Sequence, residues 1–253
     1  MVNLLDRELL VFLVSLFVFW ISAWIGGWFH ARQGTMEKDW HEDFAFVLAG
    51  TLTLLGLIIG FTFSMTINRY DQRKNLEEEE ANAIGTAYLR ADLLPAADAT
   101  RVRALLRCYL DQRILWYESR NNLTLRQIDI ETAHLQAQMW SIVAPPAIEK
   151  PTPVAALILA GMNDALNSQG YTQASYWNRI PPGVWILLVT ISIFCNILVG
   201  YVAHARSGFL YLILPIALSI SLLLIADIDN PRQGFIRTRP QNLESVAASL
   251  PSQ

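Results

Sequence analysis

The stretch FAFVLAGTLTLLGLIIGFTFSMTI, from Phe44 to Ile67, contains no Asp, Glu, Lys or Arg. A helix needs roughly 20 apolar residues to cross the hydrocarbon core of a bilayer, so this stretch predicts a transmembrane helix. Three other stretches are also long enough to cross a bilayer and lack Asp, Glu, Lys and Arg: Leu9 to Phe29, Gly183 to Ala203 and Phe209 to Ala226. Four such spans predict an all-α membrane protein with four transmembrane helices.

The composition of the whole chain supports this class. Of the 253 residues, 53% are hydrophobic and 16% are charged, against about 25% charged residues in soluble domains. The net charge of −3 gives no indication of a nucleic-acid partner. The two cysteines do not form a disulfide framework, and no nucleophile, metal or phosphate motif is present. We therefore expect neither enzymatic activity nor a cofactor or metal.

Basic residues near the span ends predict the orientation in the membrane. One side would carry Arg7, Arg69, Arg73, Lys74, Arg179, Arg232, Arg237 and Arg239. The other side would carry Arg32, Lys38 and Arg206. This imbalance places both termini in the cytoplasm. The expected organisation is spans 1 and 2 in residues 1–67, a cytoplasmic helical domain in 68–182, spans 3 and 4 in 183–226, and a cytoplasmic C-terminal segment in 227–253.

The middle segment lacks a membrane-length apolar run, and its apolar spacing predicts helices. The second span continues without a breaker to about Leu94, ahead of Pro95. Three further helices are expected: one beginning near Asp98 or Thr100, one over residues 125–143 that stops before Pro145, and one over residues 154–168 that stops at Gly170. The last residues, 244–253, have the composition of a loose tail.

Two sets of residues recur every four positions along the second span. The small set is Gly56, Gly60 and Ser64, and the neighbouring set is Thr53, Leu57 and Phe61. Small residues at this spacing let membrane helices approach closely, and ordinary bundle packing would explain both sets. The alternative is that the small set packs against other helices while Leu57 and Phe61 line a pore, where an apolar constriction can gate by dewetting.

All four spans lack Asp, Glu, Lys, Arg and His. Coupled transporters and pumps usually keep such groups inside the membrane, where they are costly and functional. Their absence argues against a coupled carrier, but it is compatible with a passive pore.

Two acidic features flank the spans. The run Glu77-Glu78-Glu79-Glu80 is typical of a solvated helix face with partners at Arg73 and Lys74, although in an oligomer it would form a ring that attracts cations. Asp227 and Asp229 follow the fourth span and form either a polar stop or an ion-paired junction with Arg69 or Arg73. A calcium site is the weaker alternative, because calcium usually needs a denser oxygen cluster.

The end of the second span resembles a motif of the bestrophin family of channels. Ile59-Gly60-Phe61 is followed by Arg69 nine residues after Gly60, and by Arg73-Lys74 four residues further on. Bacterial bestrophins show the same spacing, with two tryptophans where this chain has Tyr70-Asp71.

The remainder of the chain extends this resemblance. The segment Ala226 to Pro231 resembles the acidic Asn/Asp-Pro segment after the family's fourth span, and the order of spans and insert is the same. The chain is still more similar to bacterial membrane proteins described as carrying a bestrophin-like domain, which share stretches like residues 80–90, 180–182 and 229–234.

The resemblance implies a ring of identical subunits, five in bestrophins, in the bacterial inner membrane. It implies that the second spans line the pore and that the neck falls on Thr53, Leu57 and Phe61. Animal bestrophins follow the Asn-Pro segment with acids that bind calcium, whereas residues 235–239 here read FIRTR, which argues against calcium gating.

The sequence therefore favours an oligomeric, passive ion channel of the bestrophin-like type, whose partners are lipid, inorganic ions and copies of itself. The alternative is a membrane-anchored scaffold or sensor whose cytoplasmic helices bind a partner and whose spans conduct nothing. Stoichiometry discriminates between these functions, because a monomer or dimer would leave no central axis for a pore.

Overall fold

The computed structural model describes residues 4–33, 38–202 and 210–251, and across these ranges the chain is helical and contains no strand. The helices are α1 (Leu4–Gln33), α2 (Lys38–Arg90), α3 (Ala96–Glu118), α4 (Asn122–Glu149), α5 (Pro153–Trp177), α6 (Pro182–Val202), α7 (Leu210–Asp229) and α8 (Gln241–Ser249), with a 3₁₀ turn at Ala91–Leu93. The all-α fold class predicted from the sequence is confirmed.

The chain divides into two units. The first, the membrane unit, comprises Met1–Asn68 and Arg179–Ile236, and the second, the insert unit, comprises Arg69–Asn178 and Arg237–Gln253. Helix α2 contributes its first half to the membrane unit and its second half to the insert unit.

Among the described residues, four helices are long and apolar enough to cross a membrane. In the membrane unit, α1, α2, α6 and α7 meet in a small apolar core: Phe19, Leu55, Leu188, Cys195, Leu218 and Leu222. Large apolar side chains on the outer faces, such as Trp24 and Phe46, remain exposed, as expected for side chains solvated by lipid. The four predicted spans are confirmed, and the chain is a membrane protein.

Helices α1 and α6 approach each other closely at two glycines, Gly26 and Gly200, that the sequence did not single out. A Cβ atom at Gly26 would overlap the carbonyl oxygen of Ile197, and one at Gly200 would overlap the carbonyl oxygen of Ala23. Since lipid is as apolar as a leucine side chain, membrane helices gain stability mainly from such close contact.

The insert unit has a larger apolar core built from the second half of α2 and from α3, α4, α5 and α8. Side-chain caps define where two of its helices begin. Leu123 N donates to Asn121 Oδ1 (2.9 Å) at the start of α4, and Ala155 N donates to Thr152 Oγ1 (3.1 Å) at the start of α5. Such caps satisfy N–H groups that have no partner within the helix.

Three predictions for the insert unit are wrong. Helix α4 does not stop before Pro145 but continues to Glu149, since the two prolines fall near its end and few backbone bonds are lost. Helix α5 continues past Gly170 to Trp177, because a helical glycine costs only about 1 kcal/mol and the following turn buries Thr172 and Tyr176.

The third wrong prediction concerns the C-terminal segment. It is not a loose tail, because residues Gln241–Ser249 form α8 and the side chain of Leu243 is fully buried. The sequence pattern missed this helix because its N-terminus is capped by a residue far away in the chain, as described below.

Candidate functional site

The candidate pore-lining residues all lie on one side of α2. Leu57 and Phe61 expose 53% and 67% of their surface within the single chain, and Thr53 is exposed as well. The opposite side of the same helix is buried through Leu55, Thr62 and Thr66. The side predicted to form a neck is therefore the one that other helices of the same chain leave open.

The small residues Gly56, Gly60 and Ser64 lie on the same open side of α2. All three are exposed, and a Cβ atom at either glycine would meet no atom within 4 Å. Within one chain these glycines do not mediate helix packing, unlike Gly26 and Gly200. Their packing against a neighbouring subunit stays a prediction.

Helix α2 is also the least covered of the membrane helices. Only 6% of its most apolar stretch is buried inside the chain, against 22% for α1 and 39% for α7. A helix in the middle of a monomeric bundle would be covered by its own chain. The uncovered surface of α2 is thus available to lipid, to a pore or to another copy.

Threonine hydroxyl groups along this part of α2 donate hydrogen bonds to backbone carbonyl groups of the preceding turn. Thr53 Oγ1 donates to the Ala49 carbonyl (2.8 Å), and Thr62 Oγ1 donates to the Ile58 carbonyl (2.8 Å). The hydroxyl proton of Thr53 is therefore already engaged within the helix. A neck at Thr53 is more polar than one at Leu57, but it presents no charge.

The acidic run on α2 splits into two buried and two exposed carboxylates. Glu78 and Glu79 are exposed, as expected of a solvated face, whereas Glu77 and Glu80 are buried. The expectation of a fully solvated run is wrong for these two, because residues three apart share one side of a helix and this side faces the core of the insert unit.

Glu80 is the centre of a buried polar network. It pairs with Arg113, whose Nε donates to Oε1 and whose Nη2 donates to Oε2 (3.4 Å). The hydroxyls of Tyr117 and Thr172 each donate to Glu80 Oε2 at 3.0 Å. The guanidinium of Arg113 also lies 4.6 Å from the centre of the Trp116 ring, a cation–π contact. Three helices, α2, α3 and α5, are joined by this network.

Burial and the negative charge of Glu80 set the protonation states of Arg113 and Tyr117 in this network. Burial alone would lower the pKa of Arg113, but the facing Glu80 carboxylate outweighs burial and holds that pKa above its ordinary value. Burial raises the pKa of the Tyr117 hydroxyl, and the negative charge of Glu80 raises it further. Arg113 is therefore a permanent cation and Tyr117 a permanent hydrogen-bond donor.

Glu77 caps the N-terminus of α8. Its Oε1 accepts from the backbone N–H groups of Asn242 (2.9 Å) and Leu243 (3.0 Å), and its Oε2 accepts from Asn242 Nδ2 (2.6 Å). The first N–H groups of a helix lack partners within it and favour a negative charge nearby. Burial nevertheless raises the pKa of Glu77, because desolvation outweighs these hydrogen bonds.

Asp227 and Asp229 organise the chain around the end of α7. The carboxylate of Asp227 accepts from the backbone N–H groups of Phe235 (2.6 Å) and Ile236 (2.9 Å), which closes the turn that follows the helix. Asp229 Oδ1 accepts from Ile180 N (3.0 Å), just before α6 begins. Glycine is required at Gly234, because a Cβ atom there would overlap the carbonyl oxygen of Asp227.

The predicted ion-paired junction combines residues of both units. Arg69 and Arg73 belong to the insert unit, and Asp227 and Asp229 to the membrane unit. Both aspartates bind backbone N–H groups of their own unit, a role that the sequence did not reveal. Their pairing with Arg69 and Arg73 stays a prediction.

Over the described part of the chain, no group of three or more His, Cys, Asp or Glu side chains is placed to hold a metal ion. The buried carboxylates have protein partners instead: Arg113, Tyr117 and Thr172 for Glu80, and backbone N–H groups for Glu77 and Asp227. Carboxylates that already bind these protein groups serve to hold helices and turns together.

Comparison with solved structures identifies the fold. Three crystal structures of a bacterial bestrophin homologue from Klebsiella pneumoniae superimpose on the chain, two with TM-scores of 0.66 and one with 0.61. Each is 12% identical, and the alignments cover 96–98% of this chain and 99–100% of theirs. Similarity at this level of identity establishes the fold alone.

Comparison of sequences identifies the family. No protein of curated function matches this sequence. The family model described as the Bestrophin-like domain matches residues 11–243, which is nearly the whole chain. The chain therefore belongs to the bestrophin-like domain family.

Proposed function

We propose that this protein is one subunit of a passive ion channel, assembled from identical chains around a shared axis. The observation that carries the proposal is the open side of α2, where Leu57 and Phe61 are exposed within the chain and no ionisable residue is present between residues 44 and 67. Family membership and the bestrophin fold support it.

In this assembly the α2 helices line the pore. Thr53, Leu57 and Phe61 form successive rings, and the two apolar rings make a constriction that is dry when closed. Gly56, Gly60 and Ser64 give neighbouring helices room to approach. This role suits glycines that no atom of their own chain contacts closely.

The proposal includes the surroundings of the pore. The chain resides in the bacterial inner membrane with both termini in the cytoplasm, and its subunit number is five by resemblance to bestrophins. Arg69 and Arg73 pair with Asp227 and Asp229 at the cytoplasmic junction. No catalytic role is assigned.

The test is single-channel recording of the purified protein in planar bilayers, with substitution of the permeant ions. Leu57→Ala and Phe61→Ala each remove a ring of large side chains, so we expect a higher conductance or a loss of closed intervals. Leu187→Ala is the matched control, because Leu187 is an exposed apolar residue of α6. It should leave the currents unchanged.

Unchanged currents in both Leu57→Ala and Phe61→Ala would refute the pore assignment. A chain that is monomeric or dimeric in detergent would also refute it, since no central axis would exist. That outcome would favour a membrane-anchored scaffold, an alternative supported by large exposed apolar side chains on the insert unit: Leu89, Leu123, Ile130, Ile148 and Trp177.

A further inference from the structure

A cavity of about 600 Å³ lies in the insert unit, between α2, α3 and the C-terminal segment that contains α8. Its wall includes Tyr88 and Leu89 of α2, Arg103 of α3, Val246 of α8 and Leu250, which follows α8. All of these residues belong to the insert unit. Sites for small organic ligands typically have volumes of about 300–1,000 Å³, so the cavity is large enough to hold such a molecule.

Arg103 gives this cavity a positive charge. Of the described residues that line it, only Arg103 is charged. The hydroxyl groups of Thr100 and Ser249 also line it, but each donates to a carbonyl of its own helix, at 3.0 and 2.8 Å. A ligand that enters the cavity therefore meets a cationic hydrogen-bond donor, which favours an anionic ligand.

Two contacts orient the guanidinium of Arg103. Its Nη2 pairs with Asp92, and its central carbon lies 5.2 Å from the centre of the Tyr88 ring, a cation–π contact. A guanidinium carries several N–H donors in a planar fork, and this ion pair engages one of its nitrogens. The Asp92 side chain is 56% exposed, and exposed ion pairs contribute little net free energy. A ligand carboxylate can therefore bind Arg103 beside Asp92 or in its place.

The remaining wall of the cavity is mainly apolar. Leu89 is 69% exposed, and Val246 and Leu250 are partly buried against the core of the insert unit. Apolar surface gains free energy when it is removed from water. A ligand with an apolar body would cover these side chains, whereas a small hydrophilic anion would leave them in water.

The C-terminal wall of the cavity is held in place without a ligand. The carboxylate of Glu77 accepts from backbone N–H groups at the start of α8, and Arg107 of α3 donates to the Pro251 carbonyl just after its end. Pro251 itself lines the cavity. Binding to a preformed wall avoids the free-energy cost of ordering a segment.

We propose that this cavity binds a small carboxylic acid with an apolar body, of the arylalkanoate class. The carboxylate pairs with Arg103. The apolar body lies against Leu89, Val246 and Leu250. This inference is independent of ion conduction, because every residue of the cavity belongs to the insert unit and a scaffold with the same fold would contain the same site.

The test is calorimetric titration of the full-length protein in a neutral maltoside detergent, with each probe also titrated into detergent alone. The probes are 3-phenylpropionate, 3-phenylpropanol, 3-phenylpropylamine and acetate. We expect saturable binding of 3-phenylpropionate, at least about tenfold tighter than binding of the other three, because the alcohol and the amine lack a negative charge and acetate lacks an apolar body. No saturable binding of 3-phenylpropionate, or equal affinity for the alcohol, would overturn the proposal.

Two variants should weaken the binding of 3-phenylpropionate at least about tenfold. Arg103→Gln removes the cation that pairs with the carboxylate. Gly85→Leu fills the cavity, which Gly85 lines, without changing charge. A Cβ atom at Gly85 would meet Val246 at 3.7 Å, an ordinary contact, so α2 accommodates a side chain there. Unchanged affinity in either variant would contradict the assigned site.

A third variant should have the opposite effect. Asp92→Asn removes the carboxylate that competes for Arg103, so binding should tighten by about two- to fivefold. Arg101→Gln is the matched control, because Arg101 is a cation of the same helix, its side chain is 68% exposed and it does not line the cavity. Its affinity should stay within about twofold of the natural chain. Weaker binding in Asp92→Asn, or a loss in Arg101→Gln as large as that in Arg103→Gln, would refute specific pairing with Arg103.

Discussion

The buried pair of Glu80 and Arg113 gives the sharpest prediction for stability. Both side chains are fully buried in the insert unit. In Arg113→Met the hydrocarbon part of the arginine is largely replaced, but the Glu80 carboxylate keeps only the hydroxyls of Tyr117 and Thr172 as partners. Removing one partner of a buried ion pair typically destabilises a protein by about 3–5 kcal/mol, because the remaining charge is buried without compensation.

The expected change in melting temperature follows from this free energy. For chains of 150–250 residues, 1 kcal/mol corresponds to about 2–4 °C, so Arg113→Met should lower the melting temperature by roughly 6–20 °C. The assay is thermal unfolding of the purified protein in detergent at one fixed scan rate. Arg126→Met, at an exposed position of α4, is the control and should shift the transition by less than about 2 °C.

The double variant Glu80→Leu/Arg113→Met distinguishes loss of the pair from loss of packing. If the penalty arises from an unpaired charge, removing both charges should recover much of the stability lost in Arg113→Met. If the losses of stability in Arg113→Met and in Glu80→Leu simply add in the double variant, the two residues act independently. That result, or a single-variant shift as small as that of Arg126→Met, would refute the reasoning.

Two further predictions concern Glu77 and the glycines. Burial raises the pKa of Glu77 above 4.5, so the folded chain binds the Glu77 proton more tightly than the unfolded chain does. The contribution of Glu77 to the free energy of unfolding therefore falls as the pH rises from about 4.5 through the raised pKa. As the pH falls from about 7 to about 4, the melting temperature of the natural chain should therefore rise relative to that of Glu77→Gln. A difference between the two melting temperatures that does not change with pH would contradict this. Gly200→Ala should destabilise by about 1–3 kcal/mol through overlap with the Ala23 carbonyl. Gly170→Ala should instead stabilise α5 by about 0.5–1 kcal/mol, because its Cβ meets no atom within 4 Å; melting curves of both variants check the opposite signs, and equal shifts would contradict the packing argument.

Much of the fold could be predicted because its signals are local. The four spans follow from runs of apolar residues, and the continuation of α2 far beyond Ile67 follows from the absence of a breaker before Pro95. The open side of α2 also coincides with the spacing of Leu57 and Phe61 along the helix. One helix carries that whole pattern, so no knowledge of its neighbours was needed.

The errors occurred where a distant residue decides the outcome. Gly170 and Pro145 are expected to end helices when only local propensity is considered, yet packing of the following turn keeps α5 helical and the prolines fall near the natural end of α4. The helix α8 was missed because its cap, Glu77, lies far away in the chain. The tight approach of α1 to α6 depends on Gly26 and Gly200, which belong to different spans.

Four apolar stretches were sufficient to predict that this chain spans a membrane with four helices, because the transfer of some 20 consecutive apolar residues into lipid depends on their composition alone. The packing of the helices, in contrast, sets which acids of the run 77–80 are buried. The cost of burying a charge or an amide depends on the groups that surround it, and those groups are supplied by helices far apart in the chain.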